Sequence, residues 1–324
     1  MDDIGTALLA LEAWACVVPE PRPERLPQMT NPIWRVAGTD DRRFVLKQLP
    51  EFPPGVGPVD EFRVLCYLQE HDVPVALPIV TDAGSIHHTV GDERYALLPY
   101  LRSSNDNHEL GPAAAKTAQA IGAAIGHLES VLAACPWDLP SYVDDPGPQI
   151  LGDQLLALPI NDVRPVMPIV DQLWAAVSDL PIQRTHGDCN TGNVLVHEGR
   201  VTGFIDLDHL PIGPRVRDLS YYLASRVRRH LCDPDTADRD LAAIQAVLGD
   251  YLTGFHEACP LSDHERSAVV PLMLLAQIGF TDWSRHGWTP NAEHYRQGVT
   301  AIAWIVANLE RLTAAAGTPV QPKP

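Results

Sequence analysis

Two aspartates and an asparagine carry the chemistry of this sequence. Asp188 and Asn193 stand in Thr185-His186-Gly187-Asp188-Cys189-Asn190-Thr191-Gly192-Asn193, and Asp206 follows in Gly203-Phe204-Ile205-Asp206-Leu207-Asp208. Val194-Leu195-Val196 and the run from Val201 to Ile205 read as strands joined at a turn containing Gly199. That hairpin is expected to return Asp206 to the neighbourhood of Asn193. One carboxylate placed to take a proton from a hydroxyl, with an amide oxygen and a second carboxylate suited to a hard divalent cation, makes a set fit for phosphoryl transfer. In that scheme Asp188 is the general base and Asn193 and Asp206 hold Mg²⁺.

The spacing Asp-x-x-x-x-Asn with a metal-binding Asp on the next strand is that of protein kinases. Here His-Gly-Asp stands where they have His-Arg-Asp, and Ile-Asp-Leu-Asp where they have Asp-Phe-Gly. With Gly213-Pro214-Arg215 and Asp218-Leu219 downstream, these variants resemble the aminoglycoside phosphotransferase family, a group that includes choline, homoserine and amino-sugar kinases. The resemblance implies an α+β, bilobal protein-kinase-like fold with a small β-rich N-terminal lobe and a larger, mainly helical C-terminal lobe. It also implies ATP or GTP as donor, Mg²⁺ as cofactor and a small-molecule hydroxyl as acceptor. An aminoglycoside or amino sugar is the first expectation, and homoserine or a choline-type alcohol the alternative. No Ala-Pro-Glu follows Asp206, which speaks against a protein acceptor.

Further site residues follow from the same resemblance. Lys47 ends the apolar strand Arg43-Phe44-Val45-Leu46-Lys47 and is one of only three lysines in the chain. A strand lysine in this position holds the nucleotide phosphates and pairs with a helix glutamate, here Glu61. The rival reading is a solubilising lysine on an edge strand. Leu98 and Tyr100 lie in the segment expected to meet the adenine ring. No Gly-x-Gly-x-x-Gly is present, and Asn31-Pro32-Ile33-Trp34-Arg35-Val36 stands in its place. Asp208 is open to metal, substrate or a neighbouring amide. His186 braces the loop, and Asp218 caps backbone N–H groups of the loop or of its own helix. Phe280 to Trp288, including Asp282 and Trp283, reads as an interhelical loop that contributes to the acceptor pocket or merely connects helices. A different class of enzyme, a metal-dependent hydrolase using His186, Asp188, Asp206 and Asp208, leaves Lys47 and Glu61 without a task.

These residues need a frame large enough to hold them. A chain of 324 residues, 45% hydrophobic and 20% charged, suits two globular lobes. The expected division is 1–101 for nucleotide binding and 102–324 for catalysis and acceptor binding. Helices are expected over 2–15 with Asp2 or Asp3 as N-cap, along Ala118 to Leu132 and Ile169 to Val177, and near 217–231, 239–256, 265–280 and 291–314. Strands are expected at 33–36, 43–49, 77–80 and 94–98. Residues 19–27 form a Pro-rich connector, and Ser103 to His108 a polar loop. Six scattered cysteines without a Cys-x-x-Cys pair indicate neither zinc nor a disulfide framework, which fits a cytoplasmic location. No signal peptide is expected, and the stretch from Ala268 to Phe280 is too polar and short to span a bilayer. A net charge of −17, spread over both halves, argues against nucleic acid and anionic membranes as partners. The sequence is silent on oligomeric state.

Overall fold

Alternating burial builds the first sheet. In the computed structural model, which describes residues 3–18, 21–26, 31–50, 57–104, 114–137, 148–208, 210–232, 241–287 and 290–317, the chain divides into two units. The first unit takes Met1–Arg102 together with Cys135–Ser141 and Thr202–His209. It opens with α1 (Asp3–Leu11), followed by β1 (Glu24–Arg25), β2 (Ile33–Ala37), β3 (Arg43–Gln48), α2 (Pro58–Glu70), β4 (His88–Val90) and β5 (Glu93–Pro99). The strands form one antiparallel sheet in the order β1-β2-β3-β5-β4. Trp34 and Val36 on β2, Phe44 and Leu46 on β3, and Tyr95 and Leu97 on β5 point to one face, where Ala7, Ala10, Leu11 and Trp14 cover them. Helix α2 begins at Pro58, after Gly57 donates its N–H to Asp60. It buries Val64, Leu65 and Leu68.

The strand expected at 77–80 does not form. Pro74 and Pro78 remove the N–H donors that a ladder needs, and only Ile79 bonds β5, donating to Leu97 O at 2.7 Å. The late segment 202–208 belongs with this unit because Phe204 donates to Pro74 O at 2.8 Å and bridges Val75 in parallel. The division at Arg102 falls one residue from the expected boundary. The first unit is discontinuous in sequence, because 202–208 joins it through the Phe204–Val75 bridge.

The second unit contains α3 (Ala115–Ala133), α4 (Pro148–Ala157), α5 (Ile160–Val163), a 3₁₀ turn at 167–169, α6 (Val170–Val177), β6 (Ile182–Arg184) and β7 (Val194–His197). Strand β8 (Arg200–Phe204) pairs with β7 and carries the chain from the second unit into the first. The second unit resumes with β9 (Ile212–Pro214), antiparallel to β6, and then α7 (Val216–Cys232), α8 (Leu241–Ala258), α9 (Asp263–His286), α10 (Ala292–Ala307) and α11 (Leu309–Gly317). Two of the expected helices differ. Helix α9 runs on to His286, because Thr281 and Ser284 bond back to the carbonyls of Gln277 and Phe280 and so remain helical while buried. The last helix is two, bent by 71° at Asn308, whose side chain and carbonyl satisfy the two helix ends. Among the described residues no single helix is long and apolar enough to cross a membrane. Asp2, Pro19, Glu20 and Pro27 of the connector, 105–108 of the polar loop, and Trp288 lie outside the described residues.

Helices α3 and α8 meet backbone to backbone. A Cβ on Gly122 would lie 2.1 Å from Tyr251 O, and one on Gly254 2.0 Å from Gln119 O. Gly122→Val is therefore expected to push α8 away and to lower stability by about 3 kcal/mol, readable as a fall in the urea midpoint. An unchanged midpoint would show that the helices do not need this close approach.

Candidate active site

The first unit gathers three of the expected acids around the ammonium of a fourth expected residue, Lys47. Strand β3 is central, lying between β2 and β5, so Lys47 is no edge-strand lysine. Its side chain is 9% exposed, and Nζ stands 2.7 Å from Asp206 Oδ1 and 2.7 Å from each oxygen of Asp208. Burial alone would lower the Lys47 pKa, but the charges of Asp208, Asp206 and Glu61 overcome it and hold the lysine protonated. Glu61 makes no direct ion pair with Lys47, but its charge acts on the lysine. Glu61 hydrogen-bonds Asp208 instead, and burial together with the Asp208 charge pushes its carboxyl up to about 8. Three acids face one lysine, and a proton on Glu61 relieves the excess. Asp206 has φ of +61°, the left-handed region that a non-glycine residue enters only at a cost of about 1–2 kcal/mol. Its side chain remains 39% exposed, whereas Asp208 is 8% exposed.

Leu98 pairs with Val45 in the sheet. Tyr100 donates its N–H to Arg43 O at 3.0 Å, and the Arg43–Tyr100 bond continues the β3–β5 ladder past Pro99. The Arg35 guanidinium lies 5.7 Å from the Tyr100 ring centre.

The second unit builds the catalytic loop from its backbone outward. Gly187 has φ of +82°, and a Cβ there would lie 2.4 Å from Pro211 Cγ, so the turn requires glycine twice over. Asp218, fully buried in the first turn of α7, accepts the N–H of His186 at 2.7 Å and of Gly187 at 3.0 Å. Thr185 is tied to Pro211 O through its N–H, and Arg184 to Leu210 O. The buried His186 ring uses Nδ1 to accept the Asp188 N–H at 3.4 Å. Asp188 itself is held by neutral donors. Asn190 Nδ2 reaches Oδ1 at 2.9 Å, Asn193 Nδ2 reaches Oδ2 at 2.8 Å, and the Tyr221 hydroxyl also bonds the carboxylate.

Glu129 on α3 stands behind Asp218. Its Oε1 meets no donor, Gln183 donates to Oε2 at 2.9 Å, and the Asp218 carboxylate interacts with its carboxyl. Burial and then the Asp218 charge raise its pKa well above 4.5, so Glu129 carries the proton of this acid pair. Sequence reasoning missed Glu129, Asn190 and Tyr221. A signal existed for Glu129, an acid among the apolar positions Ile125, Leu128 and Leu132 of its helix.

Asp282 and Trp283 lie on α9 itself and not in a loop. Asp282 bonds His286 Nδ1 at 2.9 Å, one turn along the helix, and Trp283 is 43% exposed. The hydrolase scheme is not supported. Among the described residues no three His, Cys, Asp or Glu side chains form a metal-holding cluster, and Asp208 gives both oxygens to Lys47.

A sequence profile of the phosphotransferase enzyme family (APH) matches residues 24–261. The chain belongs to that family. Among curated proteins, this phosphotransferase is 24% identical over 276 residues to the serine/threonine protein kinase RdoA of Salmonella typhimurium, covering 80% of this chain and 75% of the relative. Among solved structures, a microcompartment-associated aminopropanol kinase superposes with a TM-score of 0.70 at 17% identity, over 97% of this chain and 99% of the other. The amicoumacin kinase hAmiN, in complex with AMP-PNP, Ca²⁺ and Ami, gives a TM-score of 0.69 at 16% identity, over 96% and 94%. The fold is α+β and protein-kinase-like.

Two expectations test these contacts. Lys47→Met keeps the strand's apolar stem but strands Asp208 in the core, so stability should fall by about 3 kcal/mol or more, and adding Asp208→Asn should recover part of it. Chemical denaturation of the single and double variants checks this, and no recovery would refute the pairing. For Glu129, the folded protein keeps a proton that the unfolded chain releases near its ordinary value of 4.5, so the wild type loses stability as pH rises above that value. Glu129→Gln, which keeps a donor toward Asp218, should flatten that slope, while Glu129→Ala should cost about 1–3 kcal/mol. Stability curves at several pH values decide it.

Proposed function

We propose that this phosphotransferase moves the γ-phosphoryl group of ATP, or GTP in its place, to a hydroxyl of a small molecule with Mg²⁺ as cofactor. The observation that carries the reading is the mounting of Asp188. Asn190, Asn193 and Tyr221 hydrogen-bond its carboxylate without neutralising it, so they help set its direction. A base that takes a proton from an acceptor hydroxyl needs both properties. The residues also fit a divalent cation. Asn193 spends its amide nitrogen on Asp188 and thereby offers Oδ1, and the half-exposed Asp206 offers a carboxylate. When bound, Mg²⁺ supplies neutralisation of the charge on the transferring phosphoryl group. Lys47 supplies the ammonium for the nucleotide phosphates, with Asp208 and Glu61 holding it in place, and Leu98 and Tyr100 supply the adenine edge. His186 and Asp218 fix the loop. Asp282 and Trp283 belong to the acceptor side.

For the acceptor, the family resemblance supports an aminoglycoside or amino sugar, or a homoserine- or choline-type alcohol. The names of the structural neighbours, amicoumacin and aminopropanol kinases, support small amino-bearing alcohols. A protein hydroxyl is the second reading, favoured by the name of the Salmonella relative. The missing Ala-Pro-Glu weighs against it.

With a panel of such alcohols, and a serine-rich protein as the contrasting acceptor, Asp188→Ala is expected to lower kcat by about 10²–10⁴-fold and to leave Mg·ATP binding intact. Asp206→Asn should raise the Mg²⁺ requirement, and Asn193→Ala should do so less, because a carboxylate gives a hard cation a full charge and an amide only a dipole. Normal turnover in Asp188→Ala, or an unchanged Mg²⁺ titration in Asp206→Asn, would refute these roles.

A further inference from the structure

One face of α7 leads from the catalytic loop to a buried cation that lacks a counter-charge. Tyr221, Ser225 and Arg228 follow at helical steps of four and three and share a side. Tyr221 meets Asp188, and Ser225 Oγ meets Thr191 Oγ1 at 2.9 Å. Arg228 is 7% exposed, and its guanidinium lies 3.4 Å from the centre of the Phe280 ring. Because side chains on a helix lean toward its N-terminus, Arg228 reaches back toward the Asp188 end. Its hydrogen bonds are to neutral atoms. Nη1 donates to Gln277 Oε1 at 3.2 Å, and Nη2 makes a long contact of 3.5 Å to Ser225 Oγ. Among the described residues no carboxylate lies within ion-pair reach, and Asp188 acts on it only through space. Burial pushes the Arg228 pKa down to about 10, still well inside the charged range at neutral pH.

Two neighbours also carry buried polar atoms without a partner. Gln277 is fully buried, and its Nε2 has no partner. His294, whose ring centre is 5.8 Å from that of Phe280, has a buried Nδ1 with none. Burial and the Arg228 charge lower the His294 pKa, so this ring is neutral. Buried donors are normally satisfied, and a buried guanidinium normally meets a carboxylate.

We propose that Arg228, with Gln277 and His294, binds a carboxylate of the acceptor while the acceptor's hydroxyl meets Asp188, so that the substrate is a small hydroxy acid or hydroxy amino acid. The inference rests on the phosphotransferase reading above and narrows its acceptor. One full positive charge among neutral donors balances a monoanion, and the planar guanidinium fork can meet a carboxylate with two parallel hydrogen bonds. In the step itself the acceptor hydroxyl gives its proton to Asp188 as its oxygen bonds the γ-phosphorus. The bond from that phosphorus to the β,γ-bridging oxygen breaks, and ADP leaves with the electron pair. The carboxylate takes no part in bond making.

Acceptors that differ only in a carboxylate provide the test: threonine against 1-amino-2-propanol, homoserine against 3-amino-1-propanol, and glycerate against 1,2-ethanediol. ADP release with Mg·ATP and melting without nucleotide are measured for wild type, Arg228→Lys, Arg228→Gln and Arg228→Met. In at least one pair the carboxylate member should raise the wild-type Tm and show a kcat/KM at least about 10-fold higher. Arg228→Met should lose that advantage through KM, Arg228→Lys should keep part of it, and Arg228→Gln serves if Met does not fold. Alcohols phosphorylated with no carboxylate advantage, an advantage that survives in a folded Arg228 variant, or no Tm shift by any carboxylate overturns the inference and leaves the phosphotransferase reading standing. No ADP formation with any alcohol and no Mg·ATP binding overturns both.

Discussion

A buried carboxylate with two backbone N–H groups aimed at it sets the geometry of the catalytic loop. Asp218 accepts from His186 and Gly187, and these two bonds allow the turn at Gly187 to close against Pro211. Charge-assisted bonds of this kind are short and directional. They also come with a difficulty, because Asp218 sits in the core beside a second acid. The proton on Glu129 resolves it by making one partner a donor and leaving the other an acceptor. Asp188, two residues past His186, inherits its position from this arrangement, and Asn190, Asn193 and Tyr221 refine its direction.

The first unit meets the opposite demand. There a lone cation is the scarce charge, and Asp206, Asp208 and Glu61 compete for it. The competition fixes Lys47, 9% exposed, on the central strand. It also leaves Asp206, the most exposed of the three and the one in a left-handed backbone conformation, as the carboxylate most readily turned to another partner.

The residues proposed for catalysis could be named from sequence because the chemistry fixes both residue type and spacing. Asp188, Asn193, Asp206, Lys47 and Asp218 lie in short stretches whose pattern survives without the fold around them. The family and the α+β fold followed from the same block. What sequence could not show depends on distant partners. Glu61 looks like the mate of Lys47 until Asp208, far along the chain, arrives at the same ammonium. Phe280 to His286 looks like a loop because its polar residues break the apolar stripe, yet Thr281 and Ser284 satisfy themselves on the helix's own carbonyls. Tyr221 and Arg228 carry no local signature at all. Only the register of α7 against the catalytic loop gives them meaning.

The seven residues that rejoin the first unit at Phe204 and Val75 bear on how the chain can be cut or exchanged. A fragment that stops at Arg102 contains the whole five-stranded sheet but only Glu61 near Lys47, so it buries an ammonium without the two carboxylates that neutralise it. The lobe is thus no portable cassette. Recombination between relatives at the obvious hinge would separate a cation from its counter-ions, and chimaeras of this fold must take the 202–208 segment and the N-terminal sheet from the same parent.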